Sequence, residues 1–356
     1  MRDVCRRTLL DENFELAAHL LGQARLGFLR FQDRPMPDYL KVVLHRICLL
    51  AIWPGVAVAA LPSVVERTYV ETPEAVLAYW TDEKLRAVED KGEVPLKPPS
   101  ADPLNSDGDA WEGTGRFPAG VGRLFSTSPS AKDVSCTATA VDSPAGNVLV
   151  TAFHCVSQLD EDGNPVWNSY LMFVPGFVDG VAPQGRHPVG RMVAPVDVLE
   201  TGDIAFLRVY PRADGRSVAE MAGTQAIRFD IPASASPRID FGYPVSANGY
   251  GILPPPAPYE FGNPEYSGQR LAYCATQRAM LDPCENVQAG FAGWGFQCVQ
   301  GPGSSGGPSL VEFNFDTGRG TVAGVNSHGV IMQGRAAGCK APLQESSALA
   351  YDYITR

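Results

Sequence analysis

Residues 303–308 read Gly303-Ser304-Ser305-Gly306-Gly307-Pro308, a serine pair enclosed by glycines and followed by a proline. Glycine has no Cβ, so the backbone can turn sharply there and expose its N–H groups. A serine hydroxyl on such a turn is a poor nucleophile until a neighbouring base takes its proton. The segment therefore predicts a nucleophile at Ser305, with the N–H groups of Gly303 and Ser305 as donors to an oxyanion.

Two earlier motifs supply a base and a carboxylate. Val150-Thr151-Ala152-Phe153-His154-Cys155 is a strand that ends at a histidine, and Gly202-Asp203-Ile204-Ala205-Phe206-Leu207 is an aspartate that opens an apolar strand. Histidine titrates near neutral pH and can take the serine proton, while a carboxylate on its other ring nitrogen fixes the tautomer. The pattern predicts a triad of His154 as base, Asp203 as orienting group and Ser305 as nucleophile.

Each motif alone has a simpler explanation. A histidine between Phe and Cys is often a core residue, an aspartate before a strand is usually a turn residue, and Gly-Ser-Ser-Gly-Gly could be a flexible linker. The three occur in the order His, Asp, Ser with gaps of 49 and 102 residues. This combination favours the triad over three independent coincidences.

From about Phe117 onward, the pattern of apolar runs and turn residues is typical of an all-β protein. Short apolar runs are separated by Gly, Pro or Asp turns, and only Ser346–Ile354 has a helical pattern. Upstream, Thr72-Pro73-Glu74 and Thr81-Asp82-Glu83 each predict the start of a short helix, the second running to about Asp90. Lys91–Gly115 is rich in Pro, Gly, Ser and Asp, which predicts a linker.

The three motifs resemble the T-A-A-H-C, D-I-A-L-L and G-D-S-G-G-P signatures of the trypsin/chymotrypsin family of serine peptidases, over residues 117–356. The resemblance implies two six-stranded antiparallel β-barrels, about 117–225 and 226–356, with the active site in the cleft between them. It also implies a serine endopeptidase that works through an acyl-enzyme on protein or peptide substrates. Short segments such as Gly242-Tyr243-Pro244 resemble segments that recur in the secreted bacterial and fungal branch of the family, whose members are trypsin-like or glutamyl-endopeptidase-like.

The resemblance extends to substrate binding and disulfides. Ser327-His328-Gly329 stands where the family has Ser-Trp-Gly, a strand edge that binds the substrate backbone. An even set of six cysteines in the C-terminal two-thirds indicates three disulfides and an oxidising compartment, and the residues alone allow fifteen pairings. The resemblance implies Cys136–Cys155 and Cys298–Cys339, which leaves Cys274–Cys284.

Two departures bear on activation and specificity. Ser304 stands where trypsin and chymotrypsin carry an aspartate that pairs with the new N-terminus, so we expect maturation without N-terminal insertion. No aspartate falls near Gly295–Gln297, where the pocket base is expected, so a preference for Lys or Arg at the P1 position of the substrate is not predicted. His328 leaves an acidic P1 preference as an alternative.

The N-terminal part has the layout of an exported protein. Ile47–Ala60 is the most apolar stretch, follows basic residues and ends in an A-x-A site, which predicts a signal peptide over 36–59. Residues 1–35 are then an N-terminal extension of doubtful significance, and 60–116 a propeptide and linker. A buried or membrane-anchoring helix, and an appendage that stays attached, are the alternatives.

Composition narrows the remaining classes. A net charge of −10 disfavours nucleic acid as a partner, and no CxxC spacing suggests structural zinc. We expect no cofactor or metal, a secreted extracellular monomer and no stable membrane association after processing. Asp160-Glu161-Asp162-Gly163-Asn164 fits a hairpin turn better than a calcium loop. A chymotrypsin-fold protein that binds without cleaving and, less favoured, an esterase are the rival functions.

Overall fold

The structure is a computed structural model that describes residues 64–88, 100–196, 198, 202–245, 266–278, 282–284, 293–332 and 335–356. The predicted N-terminal extension and signal peptide lie outside these residues. Among the described helices, none is both long and apolar enough to span a membrane.

Strands dominate the described chain, as predicted. In chain order they are β1 Val64–Thr68, β2 Ser106–Ala110, β3 Val121–Thr127, β4 Asp133–Val141, β5 Val148–Thr151, β6 Ser157–Leu159, β7 Pro165–Trp167, β8 Ser169–Pro175, β9 His187–Pro195, β10 Ala205–Val209, β11 Ala226–Ile227, β12 Arg238–Gly242, β13 Ala272–Thr276, β14 Asp282–Pro283, β15 Trp294–Gln297, β16 Pro308–Asn314, β17 Arg319–Met332 and β18 Arg335–Pro342. The helices are α1 Pro73–Tyr79, α2 Asp82–Ala87, α3 Val218–Ala222 and α4 Glu345–Thr355. A single 3₁₀ turn, Phe153–Cys155, follows β5.

The first sheet closes into the predicted six-stranded barrel. Its strands follow the order β9-β10-β5-β4-β3-β8, and β8 pairs back with β9. Closure removes the exposed sheet edges and buries an apolar interior. Leu149, Phe173 and Phe206 are fully buried in the core. β1 adds a seventh strand by pairing antiparallel with β9.

The second sheet is larger than the six strands predicted and is open among the described strands. Its order is β14-β15-β18-β17-β16-β12-β13-β2, with β11 paired parallel to β17. The two sheets together make the two-barrel, all-β architecture that the sequence predicts, and α4 is the predicted C-terminal helix.

The prediction of a linker over Lys91–Gly115 is wrong for Ser106–Ala110, which form β2. This strand has few apolar residues, so its composition hides it. Backbone pairing with β13 fixes it, and Trp111 directly after it is buried under Phe241 and Tyr273. Long-range pairing and one anchoring ring therefore outweigh a turn-like composition.

The two short upstream helices form as predicted and pack on the first barrel. Thr72 and Thr81 cap them, each accepting a backbone N–H with its hydroxyl. α2 ends at Ala87 rather than near Asp90. Trp80, between the helices, is fully buried and donates its indole N–H to the Tyr170 carbonyl at 2.5 Å.

Candidate active site

His154 and Asp203 meet at one edge of the first barrel. β5 and β10 run antiparallel, with Ala205 opposite Thr151, so the end of β5 lies beside the start of β10. His154 sits in the 3₁₀ turn after β5, and Asp203 lies just before β10. The carboxylate accepts the His154 backbone N–H at 2.9 Å and lies 2.5 Å from His154 Nδ1. One carboxylate oxygen therefore holds the backbone of the turn, and the other orients the ring.

Asp203 is held ionised by its neighbours. Burial alone would raise the pKa of its carboxyl, but the charge and hydrogen bonds of His154 outweigh burial and lower that pKa. The hydroxyl of Ser327 donates a further hydrogen bond at 2.8 Å. Burial opposes the protonated form of His154, yet the Asp203 charge and hydrogen bond raise the pKa of His154 above its ordinary value.

Ser305 lies on the opposite barrel, on a tight turn before β16. We call Gly301–Gly307 the serine loop. Gly306 has φ +78°, and a Cβ there would come within 2.0 Å of Thr151 Oγ1, so only glycine fits. The Ser305 Oγ lies 3.5 Å from the Ser327 carbonyl oxygen. Among the described residues no hydrogen bond joins the Ser305 hydroxyl to His154. Ser327 links the two sides of the site, because it contacts both Ser305 and Asp203.

The serine loop leaves two N–H groups available. Within the described part of the chain, the N–H groups of Gly303 and Ser305 donate to no acceptor, whereas that of Gly306 donates to the Asn326 carbonyl at 2.7 Å. These are the two donors that the sequence predicts for an oxyanion. Both belong to one turn, so they can converge on one small acceptor.

Ser304 is satisfied inside the loop. It is 7% exposed, and its hydroxyl donates to the Gly301 carbonyl at 2.7 Å. A neutral hydroxyl with this partner needs no cationic group beside it, which agrees with the expected departure from the aspartate of the trypsin/chymotrypsin pattern.

The predicted substrate strand lies in β17, beside the triad candidates. Ser327 is buried, His328 is half-buried and Gly329 is exposed. The Ser327 hydroxyl lies 3.1 Å from His328 Nδ1. Burial lowers the pKa of His328; the Asp203 charge opposes this, and the charges of His154 and Lys340 act with burial, so the net shift is downward and favours the neutral ring.

The disulfides confirm one predicted pair and correct two. Cys136 and Cys155 are joined, as the resemblance implies. The other pairs are Cys274–Cys298 and Cys284–Cys339, so Cys298–Cys339 and Cys274–Cys284 are wrong.

Strand register explains the correction. Cys274 on β13 lies opposite Asp107 of β2, and the Asp107 carbonyl accepts the N–H of Val299, next to Cys298. Cys284 follows β14 and Cys339 lies on β18, and these two strands flank β15. Each observed pair thus joins two segments that share a neighbouring strand, β2 in the first case and β15 in the second, and the sequence alone does not give this strand order.

Cys136, His154 and Cys155 offer ligand atoms within 4.8 Å of one another. The two cysteines are joined in a disulfide, so they present no thiolate, and zinc or another soft metal has no ligand set there.

Two residues of this region were not predicted from the sequence. Thr137 on β4 and Asn326 on β17 are buried, and both donate side-chain hydrogen bonds to serine-loop carbonyls. Neither belongs to a recognisable motif, because their role depends on contacts between distant strands.

The acidic turn over residues 160–164, between β6 and β7, is the hairpin that the sequence favours. β6 and β7 pair antiparallel, and the Asp160 carboxylate accepts the N–H groups of Asp162 and Asn164. These backbone hydrogen bonds lower the pKa of the Asp160 carboxyl.

No protein-family profile matches the chain, and no curated protein matches it. Two solved structures are similar to it. One is the protease Anisep from Arthrobacter nicotinovorans, with 22% identity and a TM-score of 0.54 over 68% of this chain and 98% of that one. The other is the thermostable serine protease AL20 from an extremophilic microorganism, with 20% identity and a TM-score of 0.53 over 67% and 97%. The chain therefore has the chymotrypsin-like two-barrel fold of these serine proteases.

Proposed function

We propose that the chain is a secreted serine endopeptidase that cleaves peptide bonds through an acyl-enzyme on Ser305. One observation carries the proposal. The ion-paired His154 and Asp203 lie on one barrel, and the serine loop lies on the other. Ser327 contacts both Asp203 and Ser305, and two N–H groups of the serine loop donate to no acceptor among the described residues. This arrangement supports the assignment of a base, an orienting carboxylate, a nucleophile and an oxyanion site to these residues.

The first half of the reaction forms the acyl-enzyme. Ser305 Oγ attacks the carbonyl carbon of the scissile bond while His154 Nε2 takes the hydroxyl proton. Asp203 keeps the other proton on Nδ1 and stabilises the imidazolium. The N–H groups of Gly303 and Ser305 receive the oxyanion. The tetrahedral intermediate then expels the amine, which takes the proton from His154 Nε2.

The second half repeats the sequence with water. His154 takes a proton from water, the resulting hydroxide attacks the ester carbonyl, and Ser305 Oγ leaves with the proton returned by His154. A rotation about χ1 moves the Ser305 hydroxyl from the Ser327 carbonyl toward His154 when substrate binds. Catalytic hydrogen bonds commonly tighten in this way on forming the substrate complex.

The substrate backbone pairs with Ser327–Gly329 as an added strand in this proposal. A preference for Lys or Arg at P1 is disfavoured because the buried Asp240 near this region is already paired with Lys340, Nζ to Oδ2 2.7 Å. Gly242, on the same face of β12 as Asp240, packs directly on Ser304. An acidic P1 residue stays the alternative, through a hydrogen bond from neutral His328 rather than through a charge.

Export and processing complete the proposal. The signal peptide at 36–59, the propeptide within 60–116 and a monomeric mature enzyme remain predictions. The three disulfides support an oxidising compartment. The internal bonding of Ser304 supports maturation in which no new amino group is buried beside the serine loop.

The test is cleavage by the purified, processed protein. Fluorescein-labelled casein and a peptide library with varied P1 residues are incubated with the wild type and with Ser305→Ala. We expect casein cleavage by the wild type alone, with few cleavages after Lys or Arg. Correctly folded wild type that cleaves neither substrate would favour the non-cleaving binding protein, and cleavage of p-nitrophenyl esters alone would favour an esterase.

A further inference from the structure

The direction of each oxyanion donor is set by the carbonyl of the same peptide unit. In a planar trans peptide the C=O and the following N–H point in opposite directions. The Pro302 carbonyl accepts the Val245 N–H at 2.7 Å, which fixes the direction of the Gly303 N–H. The Ser304 carbonyl accepts the Gly307 N–H at 3.0 Å and the Asn326 amide at 3.2 Å, which fixes the Ser305 N–H.

The peptide between these two, Gly303–Ser304, is held by a side chain from the other barrel. Its carbonyl accepts the hydroxyl proton of Thr137 at 2.8 Å. The same hydroxyl accepts the Tyr243 N–H at 2.9 Å, and the Thr137 N–H donates to the Ser305 carbonyl at 2.8 Å. Thr137 is fully buried, so water does not compete for these bonds.

This peptide is the weak point of the loop. Gly303 has φ +88°, and glycine has nearly equal access to other φ values, so its own backbone preference does not fix the orientation of the Gly303–Ser304 peptide. Ser304 carries no charge; its N–H and its hydroxyl both donate to the Gly301 carbonyl, at 3.3 Å and 2.7 Å, within the same loop. Rotation here would shift the two flanking peptides and strain the hydrogen bonds of the Pro302 and Ser304 carbonyls, which orient the N–H groups of Gly303 and Ser305.

We propose that Thr137 is a positioning residue for catalysis: its hydroxyl locks the Gly303–Ser304 peptide so that both oxyanion donors converge. The inference rests on the proposed function, since it concerns the oxyanion site of that reaction. In this proposal a neutral hydrogen bond between the two barrels, from Thr137 to Gly303, holds the serine loop. No amino group from a processed N-terminus takes part.

The chain offers a matched control for removing this hydroxyl. Thr139 lies two residues further along β4 and is equally buried, and its hydroxyl has no partner among the described residues. Thr137→Val and Thr139→Val therefore delete the same atom from the same strand, but only the first breaks hydrogen bonds to the serine loop. Thr137→Ser keeps the hydroxyl and tests rescue.

Rate and affinity separate positioning from general damage. We expect Thr137→Val to lower kcat about tenfold to a hundredfold with KM within about twofold. This is less than the ~10²–10³ for deleting an oxyanion donor outright. A peptide boronate, whose tetrahedral adduct occupies the oxyanion site, should bind Thr137→Val weaker by the same factor. The amine product, which has no carbonyl at the oxyanion site, should bind unchanged, and Thr137→Ser should recover kcat to within about threefold.

Each outcome has a definite meaning. Equal kcat in folded Thr137→Val and wild type overturns the inference, as does an equal loss in Thr139→Val or no recovery in Thr137→Ser. If Thr137→Val does not fold, Thr137→Cys replaces it, because a thiol has similar volume and donates only weakly. Folded wild type and Thr139→Val that are both inactive would sink the proposed function itself.

Discussion

Asp203→Asn would remove the charge and one acceptor from the group that orients His154. In the structure three donors converge on its two oxygens: the His154 N–H on Oδ1, and the His154 ring and the Ser327 hydroxyl on Oδ2. An asparagine supplies one oxygen and one NH₂ group. If the oxygen keeps the backbone N–H, the NH₂ faces His154 Nδ1.

The ring must then present a lone pair at Nδ1 and carry its proton on Nε2. That tautomer cannot accept the Ser305 proton. Flipping the amide instead sets its NH₂ against the His154 backbone N–H, an unfavourable contact. Loss of the correct tautomer in this arrangement costs about 10⁴ in kcat, or about 5 kcal/mol of transition-state stabilisation.

The assay is steady-state peptide hydrolysis by purified Asp203→Asn beside Asp162→Asn, an exposed aspartate in the β6–β7 turn that loses the same charge. Ser327→Ala, which removes one of the three donors, should cost only about two- to tenfold. A folded Asp203→Asn enzyme within tenfold of wild type would refute the role given to this carboxylate.

Three further predictions concern the same features. Because the Asp203 charge raises the pKa of His154, the acid limb of kcat/KM should have its midpoint above the ordinary pKa of histidine. Below that midpoint kcat/KM should fall about tenfold per pH unit, since the protonated ring cannot act as base. An acid limb with its midpoint below the ordinary pKa of histidine would contradict this. Trp80→Ala should lower the free energy of unfolding by about 3–5 kcal/mol, measured in urea, since the ring is fully buried; a loss below 1 kcal/mol would mean that the helices do not pack on the barrel. Non-reducing peptide mapping should find Cys274–Cys298 and Cys284–Cys339, and recovery of a Cys298–Cys339 peptide would contradict the register of β15 and β18.

Local motifs in the sequence predict the candidate site and the all-β class, whereas the strand order around the site depends on contacts between distant residues. His154, Asp203 and Ser305 stand in dense local motifs, and the structure brings the segments that carry them together. The all-β class follows from short apolar runs between turn residues. Both depend on local signals, which survive in a single sequence.

What the sequence could not predict depends on long-range register. β2 is polar and rich in Asp, so only its pairing with β13 reveals it as a strand. The family resemblance implies a disulfide between Cys298 and Cys339. In the structure, Cys298 is bonded to Cys274 and Cys339 to Cys284. Thr137 looks like any other residue of a β-strand in the sequence. Its role becomes visible only in the structure, where its hydroxyl donates to the Gly303 carbonyl in the serine loop.

The central claim is that Ser305 is a nucleophile activated by His154. Treating the processed protein with a fluorophosphonate and mapping the adduct by mass spectrometry tests this claim most directly. The account predicts a single phosphonylated residue, Ser305, with labelling lost in Ser305→Ala and strongly slowed in His154→Ala. Folded protein that stays unlabelled, or an adduct on another serine, would contradict it.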